Sequence, residues 1–184
     1  ASVGIISEPN AHPLNHEELG RADGPYVVAA LNGDVDNYAD LKALGELRIP
    51  AEITTDAKVI PALTSRRLAN GTEPAEAFRS TVASFEGSVA IAAQVASDPD
   101  LVLLAQRGSG QALYVGVAED AYIVASEPYG VVEVCDRYMR LDGETMLEPN
   151  NPASQGQVVA VHATRGIDRR SYDGRVLPLS LIHI

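Results

Sequence analysis

Apolar residues in this chain come in short runs broken by Gly, Pro, Asn and Asp, and their spacing changes character after Gly87. Before that point the period is mostly helical. The run Pro25–Asn32, "PYVVAALN", predicts a short buried strand that climbs to Asn32-Gly33. Asn-Gly is the strongest short hairpin signal, yet the chain does not reverse. Tyr38, Leu41 and Leu44 follow at helical spacing and end on Gly45, so the strand leads through Asn-Gly into a helix. Ala51–Ile53 predicts a brief strand before Thr55-Asp56. A second helix carries Val59, Ile60 and Leu63 on one face, with Pro61 tolerated in its first turn and Gly71 as its stop. A third, over 73–85, starts near Pro74 and aligns Phe78, Val82 and Phe85.

After Gly87 the pattern alternates. Val89, Ile91, Ala93 and Val95 mark one strand, and further strands are predicted over 101–107, 112–117, 121–126, 138–141 and 156–162. The links between them are short, and parallel pairs need crossovers of a dozen or more residues, so the neighbours read as an antiparallel meander. Helices in front and a sheet behind define an α+β fold in which helices cover the sheet.

A chain of 184 residues with 46% hydrophobic and 21% charged residues is one ordinary globular domain. Asp plus Glu number 25 against 14 Lys plus Arg, a net charge of −11. Such a surface repels phosphate backbones and anionic lipid, which argues against nucleic-acid or membrane partners. One cysteine, Cys135, excludes an internal disulfide framework and a multi-cysteine zinc site, and favours a reducing, cytoplasmic setting. Residues 1–15 lack the basic start and apolar core of a signal peptide, and "ASVGIISEPNAHP" reads like the interior of a longer chain. The closing "LSLIHI", residues 179–184, is expected to be non-native, leaving 1–178 as the domain.

Candidate chemistry is sparse. Asn32-Gly33 reads either as a tight turn, with Gly33 supplying a positive φ, or as an oxyanion hole made by a side-chain amide and a backbone N–H. Asp56 is a first-turn helix acid or a partner for a substrate ammonium. His12 is a structural or solvated loop histidine unless a site recruits it, and the four histidines have no metal-ligand spacing. "DVDNYAD" lacks the glycine and final glutamate of a calcium loop. "RGSGQ" at 107–111 reads as a hairpin turn, Ser65-Arg66-Arg67 as a solvated helix end, and Cys135 as a buried inert thiol.

Taken in order, these elements resemble the glutaminase domain of glutamine–fructose-6-phosphate aminotransferases, class II amidotransferases of the N-terminal-nucleophile hydrolase type. That family carries R-W-A-T-H-G…N-A-H-P, and here Ala1, Ser2, Val3 and Gly4 are followed without a gap by Asn10, Ala11, His12 and Pro13. An apolar strand ending in N-G is matched by Asn32-Gly33, and T-D-x-x-V-I by Thr55, Asp56, Val59 and Ile60. "LLAQRGSGQALYVGVAEDAYIVASE" is similar to the family's hairpin, and the likeness extends to about residue 161.

The resemblance implies a four-layer αββα sandwich of antiparallel sheets, incomplete at its N-terminus, with no cofactor. It implies that an N-terminal Cys, upstream of Ala1 together with a clamping Arg-Trp, attacks the glutamine amide with its own α-amine as base. Asn32 and Gly33 would then stabilise the oxyanion and Asp56 the α-amino group. Ser2 and Val3 would hold the α-carboxylate, without the family's histidine side chain, and His12 would support the site. The partners implied are glutamine and, through downstream sugar-isomerase domains, fructose 6-phosphate, in a homo-oligomer. These 184 residues alone are expected to release no ammonia. Two other readings stand beside this one: another class II amidotransferase, forming phosphoribosylamine or asparagine, and a non-catalytic glutamine-sensing module.

Overall fold

The computed structural model describes residues 4–183. Its first sheet has six antiparallel strands: β1 (Leu14–Asn15), β2 (Val27–Gly33), β3 (Val89–Val95), β4 (Asp98–Arg107), β8 (Gln157–His162) and β9 (Gly166–Ser171), adjacent in that order. A second sheet orders β10 (Ile182–His183), β7 (Arg137–Arg140), β5 (Tyr114–Val117) and β6 (Tyr122–Ala125). Helices α1 (Tyr38–Leu44), α2 (Val59–Ala69) and α3 (Pro74–Val82) lie on the first sheet, and the short α4 (Tyr129–Val132) on the outer face of the second. The result is a four-layer αββα sandwich, the fold that the resemblance implied.

Two cores follow from this layering. Val27, Ala29 and Leu31 of β2 join Ile60, Phe78, Val82 and Phe85 beneath the helices. Ala90, Leu104, Val115, Met139, Leu141 and Val159 fill the space between the sheets. In β4, Leu103 and Ala105 face the first core and Leu104 the second, so this strand is buried on both sides. On the outer face of the second sheet the backbone of Gly116 meets Val131 and the Cys135 thiol so closely that a Cβ would overlap them. Burial, and then the Asp136 charge, push that thiol up, consistent with an unreactive cysteine.

Several local expectations are corrected. The six strands are not one meander: β4 pairs with β3 and β8, whereas β5 pairs with β6 and β7. "RGSGQ" is therefore no hairpin turn but the crossing from one sheet to the other, held by the Gly108 N–H donating to the Gly143 carbonyl. Ala51–Ile53 forms a turn rather than a strand, because Pro50 opens it and the Ile53 N–H closes it on the Pro50 carbonyl at 3.0 Å.

Nor is the end of α2 solvated. The loop 16–21 after β1 covers it, Ser65 is buried, and Arg66 grips Glu18 through two hydrogen bonds of 2.8 and 2.6 Å. Burial pushes the Glu18 carboxyl up, but the Arg66 guanidinium and the Arg48 N–H outweigh it and hold the group below the ordinary range. A carboxyl depressed by folding contributes stability above its unfolded pKa and loses it as pH falls through the folded one. Arg66→Ala leaves the buried Glu18 carboxylate with the Arg48 N–H but without its guanidinium partner, an expected loss of about 3 kcal/mol in urea unfolding at pH 7. The gap to wild type should narrow on acidification below about pH 4.

Candidate active site

β2 ends where three segments meet. Along the strand Leu31 faces the helical core, whereas Asn32 is exposed on the opposite face, the side that Ala90 turns toward the second sheet. Among the described residues the Asn32 amide has no hydrogen-bond partner. The Asp34 N–H donates to the Ser88 carbonyl at 3.0 Å, so Asp34 and Ser88 form a hydrogen-bonded pair of the ladder. Alternation then turns the Gly33 N–H away from β3, to the same edge as the Leu31 N–H. The Leu31 N–H is already taken there: it donates to His12 Nδ1 at 3.2 Å, which places the ring proton on Nε2. His12 thus stands one residue away from Asn32.

Gly33 is required by its surroundings. Its φ is +115°, and a methyl group there would overlap the Ser88 carbonyl. Both the left-handed backbone and the contact exclude a side chain. Gly33→Ala should lower stability by about 3 kcal/mol or more, read as a fall in melting temperature. An unchanged melt would mean that the β2–β3 approach relaxes freely.

Asp56 enters from the other side. Thr55 caps the one-turn 3₁₀ helix Asp56–Lys58, which runs directly into α2; the Ala57 N–H donates to its hydroxyl at 3.3 Å. The Asp56 carboxylate is 0% exposed and accepts from the Val35 N–H at 2.6 Å and the Thr55 hydroxyl at 3.3 Å. Two accepted bonds leave acceptor capacity on a carboxylate with about four lone-pair sites. Burial raises the Asp56 carboxyl, and the nearby Asp34 charge raises it further, against the lowering by Val35 and Thr55. His12, Asn32-Gly33 and Asp56 are therefore brought together within one corner of the fold. Ser2 and Val3 lie outside the described residues.

Three residues to which the sequence assigned no role build this corner. Asn37 accepts from the Glu86 N–H and donates to the Ser84 carbonyl, each at 3.0 Å, extending the β2–β3 pairing past Gly33. The Ser88 hydroxyl donates toward the Ser109 carbonyl at 2.6 Å and Gln111 Oε1 at 2.7 Å, tying the same turn to the inter-sheet crossing. Asn10 fastens the Thr54-Thr55 backbone. A hollow of about 240 Å³ between Gly4–Ser7, Asn10 and Thr55 opens beside them. Larger hollows, of about 650 and 520 Å³, border Val102 and Leu101 instead. Those lie at the far end of β4 from Gln106, which shares a rung with Ala90 and Asn32. Chemistry, not volume, locates the site. No group of three or more His, Cys, Asp or Glu among the described residues is placed to hold a metal ion. No described helix is long and apolar enough to cross a membrane.

Comparison with known proteins gives this corner its context. Residues 7–133 match the glutamine amidotransferase domain, and the chain belongs to that family. Relatives include the glutamine–fructose-6-phosphate aminotransferase [isomerizing] of Caulobacter vibrioides, 33% identical over 143 residues, 77% of this chain and 22% of the relative. The enzyme of the same name from Bacillus thuringiensis subsp. konkukian is 31% identical over 143 residues, covering 77% of this chain and 22% of its own length. This chain thus spans about a fifth of the length of the curated relatives it matches. Among solved structures, the allosteric regulatory enzyme of purine biosynthesis superposes with a TM-score of 0.66 at 19% identity, over 90% of this chain and 32% of that one. The glutamine phosphoribosylpyrophosphate amidotransferase from B. subtilis, complexed with ADP and GMP, gives 0.65 at 18%, over 91% and 33%. At such identities the likeness establishes the shared fold.

Proposed function

We propose that this chain is the glutamine-hydrolysing part of a glutamine–fructose-6-phosphate aminotransferase, releasing ammonia for the synthesis of glucosamine 6-phosphate. The observation that carries the reading is the Asn32 amide, unpartnered among the described residues, beside an outward Gly33 N–H, in a domain whose relatives at 31–33% identity bear that name. In this reading a cysteine thiolate supplied from upstream attacks the side-chain carbonyl carbon of glutamine. The carbonyl π-bond opens, and the oxygen takes its charge between Asn32 Nδ2–H and the Gly33 N–H. Collapse expels ammonia, which carries off the proton first taken from the thiol by the α-amine, and water then cleaves the thioester to glutamate. Asp56 receives the α-ammonium of the substrate, and Ser2 and Val3 the α-carboxylate. His12 fixes the end of β2 from which the oxyanion donors project.

The test uses the full-length protein with glutamine and, in parallel, fructose 6-phosphate or phosphoribosyl pyrophosphate as acceptor. Glucosamine 6-phosphate with stoichiometric glutamate is the expected product. Phosphoribosylamine instead would transfer the chain to the other amidotransferase class, and glutamine binding without turnover would make it a sensor.

A further inference from the structure

The geometry points to Asn10 as a positioning residue that fixes the 52–55 loop and, through Thr55, the Asp56 carboxylate assigned to the α-ammonium of the substrate. This rests on the glutamine-hydrolysing reading above. Asn10 ends the 3₁₀ turn Glu8–Asn10, and its side chain reaches across to the 52–55 loop, which has no ladder of its own. Its Oδ1 accepts from the Thr54 N–H at 2.8 Å and the Thr55 N–H at 3.0 Å. Its Nδ2 donates to the Glu52 carbonyl at 3.2 Å and to Ser7 Oγ at 2.8 Å. Two lone pairs and two N–H groups are all that a primary amide offers, and every one is used. Three of the four bonds land on backbone groups of one loop, so the side chain stands in for a missing strand neighbour.

The consequence reaches the site through Thr55. With its N–H fixed by Asn10, Thr55 aims its hydroxyl at Asp56 and caps the turn that carries that carboxylate. On the other side, the Asn10–Ser7 bond holds the segment Gly4–Ser7, tied again to the same loop by the Ile5 N–H donating to Thr54 Oγ1 at 3.0 Å. One amide therefore sets the spacing between the Gly4–Ser7 segment and the loop that carries Thr55 and Asp56. Asn32 and Gly33 hang on other supports, the His12, Asn37 and Ser88 bonds. Loss of Asn10 should thus weaken substrate binding and spare the chemical step.

Asn10→Ala and Asn10→Asp in the full-length enzyme test this by glutaminase kinetics alongside thermal melting. Asn10→Ala should raise KM for glutamine by about 10- to 100-fold with kcat within about threefold of wild type. Asn10→Asp keeps the two bonds accepted from Thr54 and Thr55 and loses the two donated ones, so its KM should rise by only about 3- to 10-fold. If Asn10→Ala does not fold, the KM of Asn10→Asp decides alone. A KM equal to wild type in a folded variant, or a loss carried by kcat with KM unchanged, overturns the positioning role. Absence of ammonia release by the wild-type enzyme would instead overturn the reading on which it rests.

Discussion

Asn32→Ala in the full-length enzyme should lower kcat for glutamine hydrolysis by about 10²–10³-fold while changing KM little, the signature of losing one oxyanion donor. The physical basis is specific to this residue. Its amide is exposed and unpartnered among the described residues, so truncation removes no folding contact there, and the melting temperature should stay where it is. A donor bonded elsewhere would first have to break that bond; this one, in the proposed role, needs no such rearrangement. Measured kcat within a few-fold of wild type would reduce Asn32 to a turn residue. The contribution of Gly33 is of a different kind, because its N–H is backbone and no side-chain truncation removes it. The pair therefore separates cleanly: Asn32 variants report on catalysis, Gly33 variants on folding.

How much of this was legible in the sequence depends on the range of the forces involved. β2 and α3 could be read because each shows one apolar face to one core. By contrast, α2 is buried on every side over 59–65, and Leu44 of α1 is exposed rather than packed with Tyr38 and Leu41. The division of the rear strands into two sheets could not be read from alternation, although the unbroken run Leu101–Ala105 already marks a strand covered on both sides. β9 shows no apolar alternation, because Asp168, Arg169 and Arg170 follow one another; Arg169 is buried where its guanidinium donates to Gln157 Oε1 at 3.0 and 2.9 Å and to the Pro178 carbonyl at 2.8 Å. α4, at four residues, is too short to display a helical period. The candidate site was legible as motifs but not as geometry. Asn10 meets Thr54 and Thr55 across 44 and 45 positions through backbone N–H groups, which leave no side-chain signature. The cover over Arg66 was hidden for the same reason, since Glu18 arrives from 48 positions upstream.

Asp56→Asn should uncouple stability from function more sharply than any other change in the domain. Burial holds the Asp56 carboxyl above the ordinary range, so the folded state takes up its proton more readily than the unfolded chain does. A group raised in this way favours folding below its unfolded pKa and loses that contribution as pH rises through the folded one. At neutral pH the ionised carboxylate is therefore a burden on the fold. Asparagine removes the charge and still offers Oδ1 to the Val35 N–H, so the variant should melt higher than wild type at pH 7 and lose that advantage on acidification. Function should move the other way. A neutral amide cannot pair with the α-ammonium of glutamine, and truncating one partner of a buried charge-assisted contact raises KM by about 10²–10³-fold. In wild type, kcat/KM for glutamine should fall on acidification through the raised pKa, at a pH above the usual carboxylate range, and that limb should be missing from the variant. Melting curves and kcat/KM for both proteins across the acidic range decide the matter. A variant that melts lower at pH 7 yet binds glutamine as wild type does would make Asp56 a structural cap for the turn after Gly33, with the α-ammonium held elsewhere.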